Sequence, residues 1–172
     1  AAPIFFGGAF SVTASITHTL RFLSQNPDDM ARVRTELGDC LPPSPEAVDG
    51  PTLARCQQLD GALRESLRLS PPVAIFSRNV NAKEPVELGG HNLPPNTNVL
   101  ITNWLLHHDP LHWNDPWSYR PARWGNGGVE QNPLGSGYFF PFGRGPRACI
   151  GQSLALTIGM VVLAQILGRL RI

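Results

Sequence analysis

The spacing of apolar and polar residues predicts two helices near the start of the chain. Residues 4–25 are mostly small and apolar, which favours one long helix. Asn26 precedes a proline and two acids, the pattern of a helix start with Asn26 as N-cap. Gly38 is expected to end this second helix. The prolines that follow predict a loop over residues 39–51.

Later in the chain, two segments with the apolar spacing of a helix flank a region whose residues alternate between apolar and polar, as in strands. Three leucines spaced four apart predict a helix that ends near Leu69, before a Pro-Pro pair: Leu59, Leu63 and Leu67. Residues 73–102 predict short strands, with Gly89-Gly90 as a tight hairpin turn. Residues 154–167 are apolar on nearly all faces, so we expect a buried core helix there.

Length, charge and cysteine count narrow the class of protein. The 172 residues suffice for one domain with a sizeable core, and we expect a single domain over residues 1–172. A net charge of +1 gives no reason to expect a nucleic-acid partner. Three cysteines without a C-x-x-C pair argue against a disulfide framework. No uninterrupted apolar run reaches the ~18 residues that a membrane span needs.

Residues 142–151, FGRGPRACIG, carry the strongest chemical signal. Cys149 lies where a glycine-rich loop meets the last helix, and unpaired N–H groups at a helix start favour a thiolate, which can ligate a metal. Gly145 and Gly151 permit positive φ and a close approach to a flat ligand. Arg147 is placed to meet an anionic group on that ligand. The alternative is a plain turn, with Cys149 as a small buried hydrophobe.

This segment resembles F-x-x-G-x-R-x-C-x-G, the haem-binding loop of the cytochrome P-450 family. The matching residues are Phe142, Gly145, Arg147, Cys149 and Gly151. The resemblance implies that these residues bind haem b and that the Cys149 thiolate is the axial ligand of its iron. It also implies a fold that is mainly α with a small β portion. This would be the C-terminal part of the family's fold, a fragment from the distal helix to the helix after the cysteine.

The first helix is similar to the family's long helix over the distal face of the haem, with its A/G-G-x-D/E-T signature. Gly7 and Gly8 match the small pair, and Ser11 keeps the hydroxyl of the threonine. The resemblance therefore implies that Gly8 and Ser11 are the catalytic residues. Phe10 stands where the acid should be, which removes half of the pair that supports proton delivery to bound oxygen. Without the resemblance, tight helix packing explains the glycines better.

Two distant segments match the family's charged triad. Glu65 and Arg68 fit E-x-x-R, and Arg123 fits the arginine of P-x-R-F, with Trp124 in place of the phenylalanine. The resemblance implies a buried structural triad that holds the loop below the haem. Removing one partner of such a network is strongly destabilising, because it leaves a buried charge without its counterpart. On spacing alone, Glu65 and Arg68 are a solvent-exposed i, i+3 pair worth about 0.3–0.5 kcal/mol.

The histidines and one strand arginine leave alternatives open. Residues 106–110, LHHDP, match the family's L-H-x-D-P segment. His108 and His112 have the i, i+4 spacing of a metal site, but Pro110 between them argues against the helix that such a site needs. Arg78 is either a partner of a haem propionate or an exposed strand residue.

The resemblance implies a haem-dependent monooxygenase that inserts one atom of O2 into a small, lipophilic organic substrate. Electrons would come from a reductase or a ferredoxin. It also implies an intracellular enzyme whose missing N-terminal half could carry a membrane anchor. Whether residues 1–172 alone are active is left open, because the helices that roof the substrate pocket belong to that missing half. Because Phe10 replaces the acid, a haem-thiolate isomerase, a dehydratase or a peroxide-using enzyme is one alternative. A non-catalytic fragment that acts only through contacts is the other.

Overall fold

The computed structural model describes residues 2–42, 48–125 and 137–170, and gives only the backbone for residues 2–6. Helices dominate, and a small β portion lies between them, so the predicted fold class is confirmed. The helices and strands are α1 Ala2–Gln25, α2 Pro27–Cys40, α3 Gly50–Arg55, α4 Gln57–Leu69, β1 Phe76–Asn79, β2 Val86–Leu88, β3 His91–Leu93, β4 Asn98–Ile101, α5 Asn103–His107 and α6 Gln152–Arg169.

Helix α4 is the centre of the core. Its predicted leucine stripe is fully buried, and α4 packs against α1, α2, α5 and α6. In α6, Gly159 faces Leu63: a Cβ at residue 159 would stand 3.3 Å from Leu63 Cδ2, closer than ordinary contact. The missing side chain therefore brings α6 close to α4, and α6 is the helix that follows Cys149.

Helix α2 begins where predicted, with Asn26 at the N-cap position and Pro27 as its first residue, but the cap bond and the end of the helix differ from the prediction. The Asn26 side chain does not cap α2, because its Nδ2 donates instead to the Phe22 carbonyl of α1 at 2.8 Å. Gly38 does not end the helix, which continues to Cys40. Glycine inside a helix costs only about 1 kcal/mol relative to alanine, and burial of the neighbouring Leu37 offsets that cost.

A short helix, α3, begins inside the segment predicted to be a loop. Asp49 caps it, because its carboxylate accepts the Thr52 N–H at 2.9 Å. Hydrogen bonds from the Thr52 side chain and from this N–H lower the pKa of Asp49. Asp49 followed by Gly50-Pro51 is the sequence of an N-cap before a proline in the first turn, so the signal was present. Residues 43–47 of the predicted loop lie outside the described residues.

The strands form two antiparallel pairs. In the first, β1 pairs with β4, from Phe76 opposite Ile101 to Asn79 opposite Asn98. In the second, β2 and β3 form a hairpin whose turn is Gly89-Gly90, as predicted, with φ of 59° and 80°. The strands occupy less of residues 73–102 than expected, since β1 begins only at Phe76.

Helix α6 is not buried on all faces, contrary to the prediction. Its described buried residues lie on one side: Gly159, Met160, Leu163, Ala164 and Leu167. With 18 residues and a mean hydropathy of 1.4, it is also long and apolar enough to cross a membrane, although the core helix of a soluble protein passes the same test. As expected, α6 is not an uninterrupted apolar run, because Gln, Ser and Thr residues are scattered along it, but its mean hydropathy is still high enough for a membrane span.

Candidate functional site

The loop before α6 is held by backbone hydrogen bonds. The Cys149 N–H donates to the Phe142 carbonyl at 2.8 Å, and the Gly143 N–H donates to the Phe140 carbonyl at 2.9 Å. Gly143 and Gly145 have φ of 71° and 74°, values that favour glycine. Gly151, expected to share this property, instead has φ of −89° and is the N-cap residue of α6.

Cys149 is exposed, and its thiol is free. The interpretation of Cys149 as a small buried hydrophobe is therefore wrong. Because α6 begins at Gln152, the thiol lies just before the helix start. The N–H groups of Ile150 and Gly151 donate to no other group in the described part of the chain, so they are available to an anion beside the thiol.

Large apolar side chains line the surface next to this thiol. Ile150, just before α6, is 96% exposed, and Leu154 and Ile158, which share one side of α6 at i, i+4 spacing, are 63% and 40% exposed. An exposed apolar stripe of this kind marks a surface that a ligand or another segment covers. The face is thus suited to a flat apolar group that approaches Cys149.

Arg147 supplies a cation at the edge of this surface. It is exposed, and no ion pair of its side chain is found within residues 2–42, 48–125 and 137–170. A soft thiolate ligand, an apolar face and the Arg147 cation together match the donor set that haem requires. The residues present therefore fit the haem that the sequence implies.

The expected distal residues lie on one exposed turn of α1. The Ser11 hydroxyl donates to the Gly7 carbonyl at 2.6 Å, and Phe10 is 75% exposed. A Cβ at Gly7 or Gly8 would meet nothing within 4 Å. Packing against other described residues therefore does not explain the two glycines, and the open space leaves room for a bulky ligand.

The three residues expected to form a triad come together in the interior of the protein. Glu65 Oε1 accepts from Arg68 Nη2 at 2.8 Å and from Arg123 Nε at 3.0 Å. Glu65 Oε2 accepts from Arg68 Nε at 3.0 Å. The Glu65 and Arg68 side chains are 0% exposed, so the interpretation as a surface ion pair is wrong.

Trp124 adds a donor to the triad that the sequence analysis missed. Its indole Nε1–H donates to Glu65 Oε2 at 2.9 Å. A buried indole usually finds a hydrogen-bond partner, so tryptophan in place of phenylalanine was the signal. Gly61 makes room for this segment, since a Cβ there would stand 2.8 Å from the Pro121 carbonyl oxygen.

His107 and His108 are both buried but have different surroundings. His107 Nε2 accepts the Phe140 N–H at 3.2 Å, and burial lowers the pKa of His107 to about 3. His108 lies between Trp104 and Trp117, with ring centroids 4.4 and 4.5 Å away, and burial lowers its pKa as well.

The other two basic residues considered from the sequence, His112 and Arg78, each contact an aromatic ring. His112 stacks on Tyr138 at 3.4 Å between ring centroids. Searching the described ranges finds no group of three or more His, Cys, Asp or Glu side chains that could hold a metal ion. The Arg78 guanidinium lies 5.0 Å from the Phe76 ring centroid and donates to the Ser77 carbonyl.

Comparison with known proteins points to the same chemistry. The family model described as cytochrome P-450 matches residues 1–172. Cytochrome P-450 71D94 from Mentha gracilis is 33% identical over 95% of the chain, and cytochrome P-450 3A11 from Mus musculus is 32% identical over 94%. Cyclooctatin synthase from Streptomyces melanosporofaciens is 35% identical over 98%. The aligned part is 32%, 31% and 35% of these relatives, so the chain spans about a third of their length.

Proposed function

The chain belongs to the cytochrome P-450 family, and from this premise we propose that residues 1–172 form the cysteine-bearing part of a haem-dependent monooxygenase. Proteins of this family carry haem b. The proposed reaction inserts one oxygen atom of O2 into a small, lipophilic organic substrate and reduces the other atom to water. Two electrons and two protons complete the balance, and a reductase or a ferredoxin would supply the electrons.

One observation carries this proposal: an exposed, free cysteine thiol lies beside an exposed apolar stripe, in a loop that backbone hydrogen bonds hold in place. Cys149 would hold the haem iron, and the bound haem would supply oxygen activation. Arg147 would pair with a haem propionate. Phe142, Gly145 and Gly151 would shape the loop and its junction with α6.

The triad has a structural role in this proposal. Glu65, Arg68 and Arg123 are buried and joined by charge-assisted hydrogen bonds. Arg68 also donates through Nη1 to the carbonyls of His107 and Pro116, at 2.8 and 2.6 Å. These contacts fix the segment before the loop to helix α4. The triad would therefore limit how far the Cys149 loop can move.

Gly8 and Ser11 would act on the distal side. Gly8 would leave room for bound oxygen and substrate beside α1, and Ser11 would provide a hydroxyl. In the structure that hydroxyl donates to the Gly7 carbonyl, so it must rotate before it can donate elsewhere. Phe10 cannot relay a proton, and proton transfer by a positioned group is typically worth about 10²–10⁴-fold in rate.

A second candidate function follows from Phe10 and from the engaged Ser11 hydroxyl. An enzyme that receives oxygen already reduced, as peroxide, needs fewer protons delivered along α1. An isomerase or dehydratase that rearranges an oxygenated substrate needs none for O2 reduction. A protein that acts only through contacts would purify without haem, so haem content separates that alternative from the others.

The experiment compares Phe10→Asp with the unchanged residue in a full-length family member that carries this segment. We expect Phe10→Asp to raise the product formed per NADPH consumed with O2 and a reductase, because the carboxylate organises proton delivery. Activity with added peroxide should change less. Tight coupling with Phe10, lowered by the aspartate, would contradict the proton argument. Product formed only with peroxide would favour the second candidate.

A further inference from the structure

We infer that His107 is a positioning residue that connects the buried triad to the loop carrying Cys149. The inference rests on the proposed function for its consequence at the haem, and on the described contacts for the connection itself. The observation behind the inference is a hydrogen bond between residues 33 positions apart: the Phe140 N–H donates to His107 Nε2 at 3.2 Å.

The triad holds the His107 backbone from one side. Arg68 Nη1 donates to the His107 carbonyl at 2.8 Å, while Arg68 Nε and Nη2 are held by the two oxygens of Glu65. Arg68 is 0% exposed, so little solvent competes for these bonds. The end of α5 is therefore fixed to α4 through a single guanidinium.

The His107 ring holds the loop from the other side. Besides the bond to the Phe140 N–H, the ring centroid lies 5.2 Å from that of Phe139 and 5.9 Å from that of Phe140. The Phe140 carbonyl then accepts the Gly143 N–H at 2.9 Å, and the Phe142 carbonyl accepts the Cys149 N–H at 2.8 Å. One short turn and one hydrogen bond across the loop thus connect the imidazole to the backbone of Cys149.

A hydrogen-bond acceptor stabilises this place. Phe140 is half-buried and its N–H points at a ring that is 0% exposed, so the donor loses a partner that solvent replaces poorly when the acceptor is removed. Neutral imidazole accepts through Nε2 when its proton is on Nδ1, and His107 Nδ1 has no hydrogen-bond partner among the described residues. Burial keeps the ring neutral, with a pKa of about 3. Glutamine can place an acceptor oxygen close to the Nε2 position, whereas phenylalanine keeps the ring but cannot accept.

The test uses His107→Phe, His107→Gln and the matched control His112→Phe in a haem-loaded, full-length family member that carries this segment. His112 also has its ring against the loop, on Tyr138, but the contact is a ring stack. The first readout is the share of reduced, CO-bound protein that shows the red-shifted Soret band of thiolate ligation. The second is hydrogen exchange of the Phe140 amide in the haem-free protein.

We expect His107→Phe to raise the ratio of non-thiolate to thiolate complex about tenfold, which is ~1.4 kcal/mol. Exchange at Phe140 should accelerate by about the same factor. His107→Gln should restore both values to within about threefold, and His112→Phe should leave them unchanged. Rescue by glutamine separates an acceptor role from mere filling of space.

Three results would overturn the inference. The first is an unchanged band and unchanged exchange in His107→Phe. The second is an equal loss in the phenylalanine and glutamine variants. The third, which needs no variant, is a Phe140 amide that exchanges as fast as an unprotected one. If the unchanged protein lacks the red-shifted band, the proposed function fails, while the exchange readout still decides the connection through His107.

Discussion

Replacing Glu65 by glutamine tests the energetics of the triad. Five donors converge on the two carboxylate oxygens: Arg68 Nε, Arg68 Nη2, Arg123 Nε, Trp124 Nε1 and the Arg120 N–H, at 2.8 to 3.0 Å. Glutamine has nearly the same shape but offers one acceptor oxygen, so its NH2 group faces donors. It also removes the negative charge that pairs with the buried guanidiniums of Arg68 and Arg123. Breaking a buried ion pair from one side costs about 3–5 kcal/mol.

Urea unfolding of a full-length family member that carries this segment measures this cost. The free energy of unfolding of Glu65→Gln should be about 3–5 kcal/mol lower than that of the unchanged protein, with a lower urea midpoint. Glu87→Gln on the exposed strand β2 is the matched control and should change stability by less than about 0.5 kcal/mol. A loss below about 1 kcal/mol for Glu65→Gln, with the slope unchanged, would refute the reasoning.

Two further predictions concern stability. Gly61→Ala should destabilise by about 1–3 kcal/mol, because the new Cβ would stand 2.8 Å from the Pro121 carbonyl oxygen, whereas Gly38→Ala, with nothing within 4 Å, should stabilise by about 0.5–1 kcal/mol. His107 has a native pKa of about 3 and an ordinary value of 6.5, so the unfolded chain binds the extra proton between these values. Its contribution should be fully present above pH 6.5 and fall by about 1.4 kcal/mol per pH unit below it.

Each of these predictions has its own measurement. Thermal or urea unfolding compares the two alanine variants, and equal effects would contradict the close contact at Gly61. For His107, the free energy of unfolding is measured between pH 6 and 4 and compared with that of His107→Gln. Parallel pH dependence in both proteins would contradict a buried, neutral His107.

Periodicity predicted the elements that depend on local pattern. The leucine stripe of α4 and the Gly89-Gly90 hairpin formed where expected, because spacing and turn chemistry act over a few residues. The burial of α6 was overestimated because burial does not depend on local pattern alone. Composition shows that a helix can be buried on all faces, but only its neighbours decide which faces are.

Periodicity alone did not predict how the site residues are arranged. On helical spacing, Glu65 and Arg68 are a surface pair, and only the resemblance indicated their burial with Arg123. The bonds from Trp124 to Glu65 and from Phe140 to His107 join residues 59 and 33 positions apart. No local pattern encodes such pairs. The one available signal was the polar atom itself, the indole N–H or the imidazole nitrogen, which needs a partner once it is buried.

The account depends most on Cys149 as the ligand of the haem iron. The direct measurement is the absorption spectrum of the reduced, CO-bound protein, in a full-length family member that carries this segment, for Cys149→Ala and for the control Cys40→Ala. Cys40 is a half-buried thiol on α2, outside the loop that carries Cys149. We predict that Cys40→Ala keeps the red-shifted Soret band and that Cys149→Ala loses it. A red-shifted band that persists in Cys149→Ala would contradict the assignment.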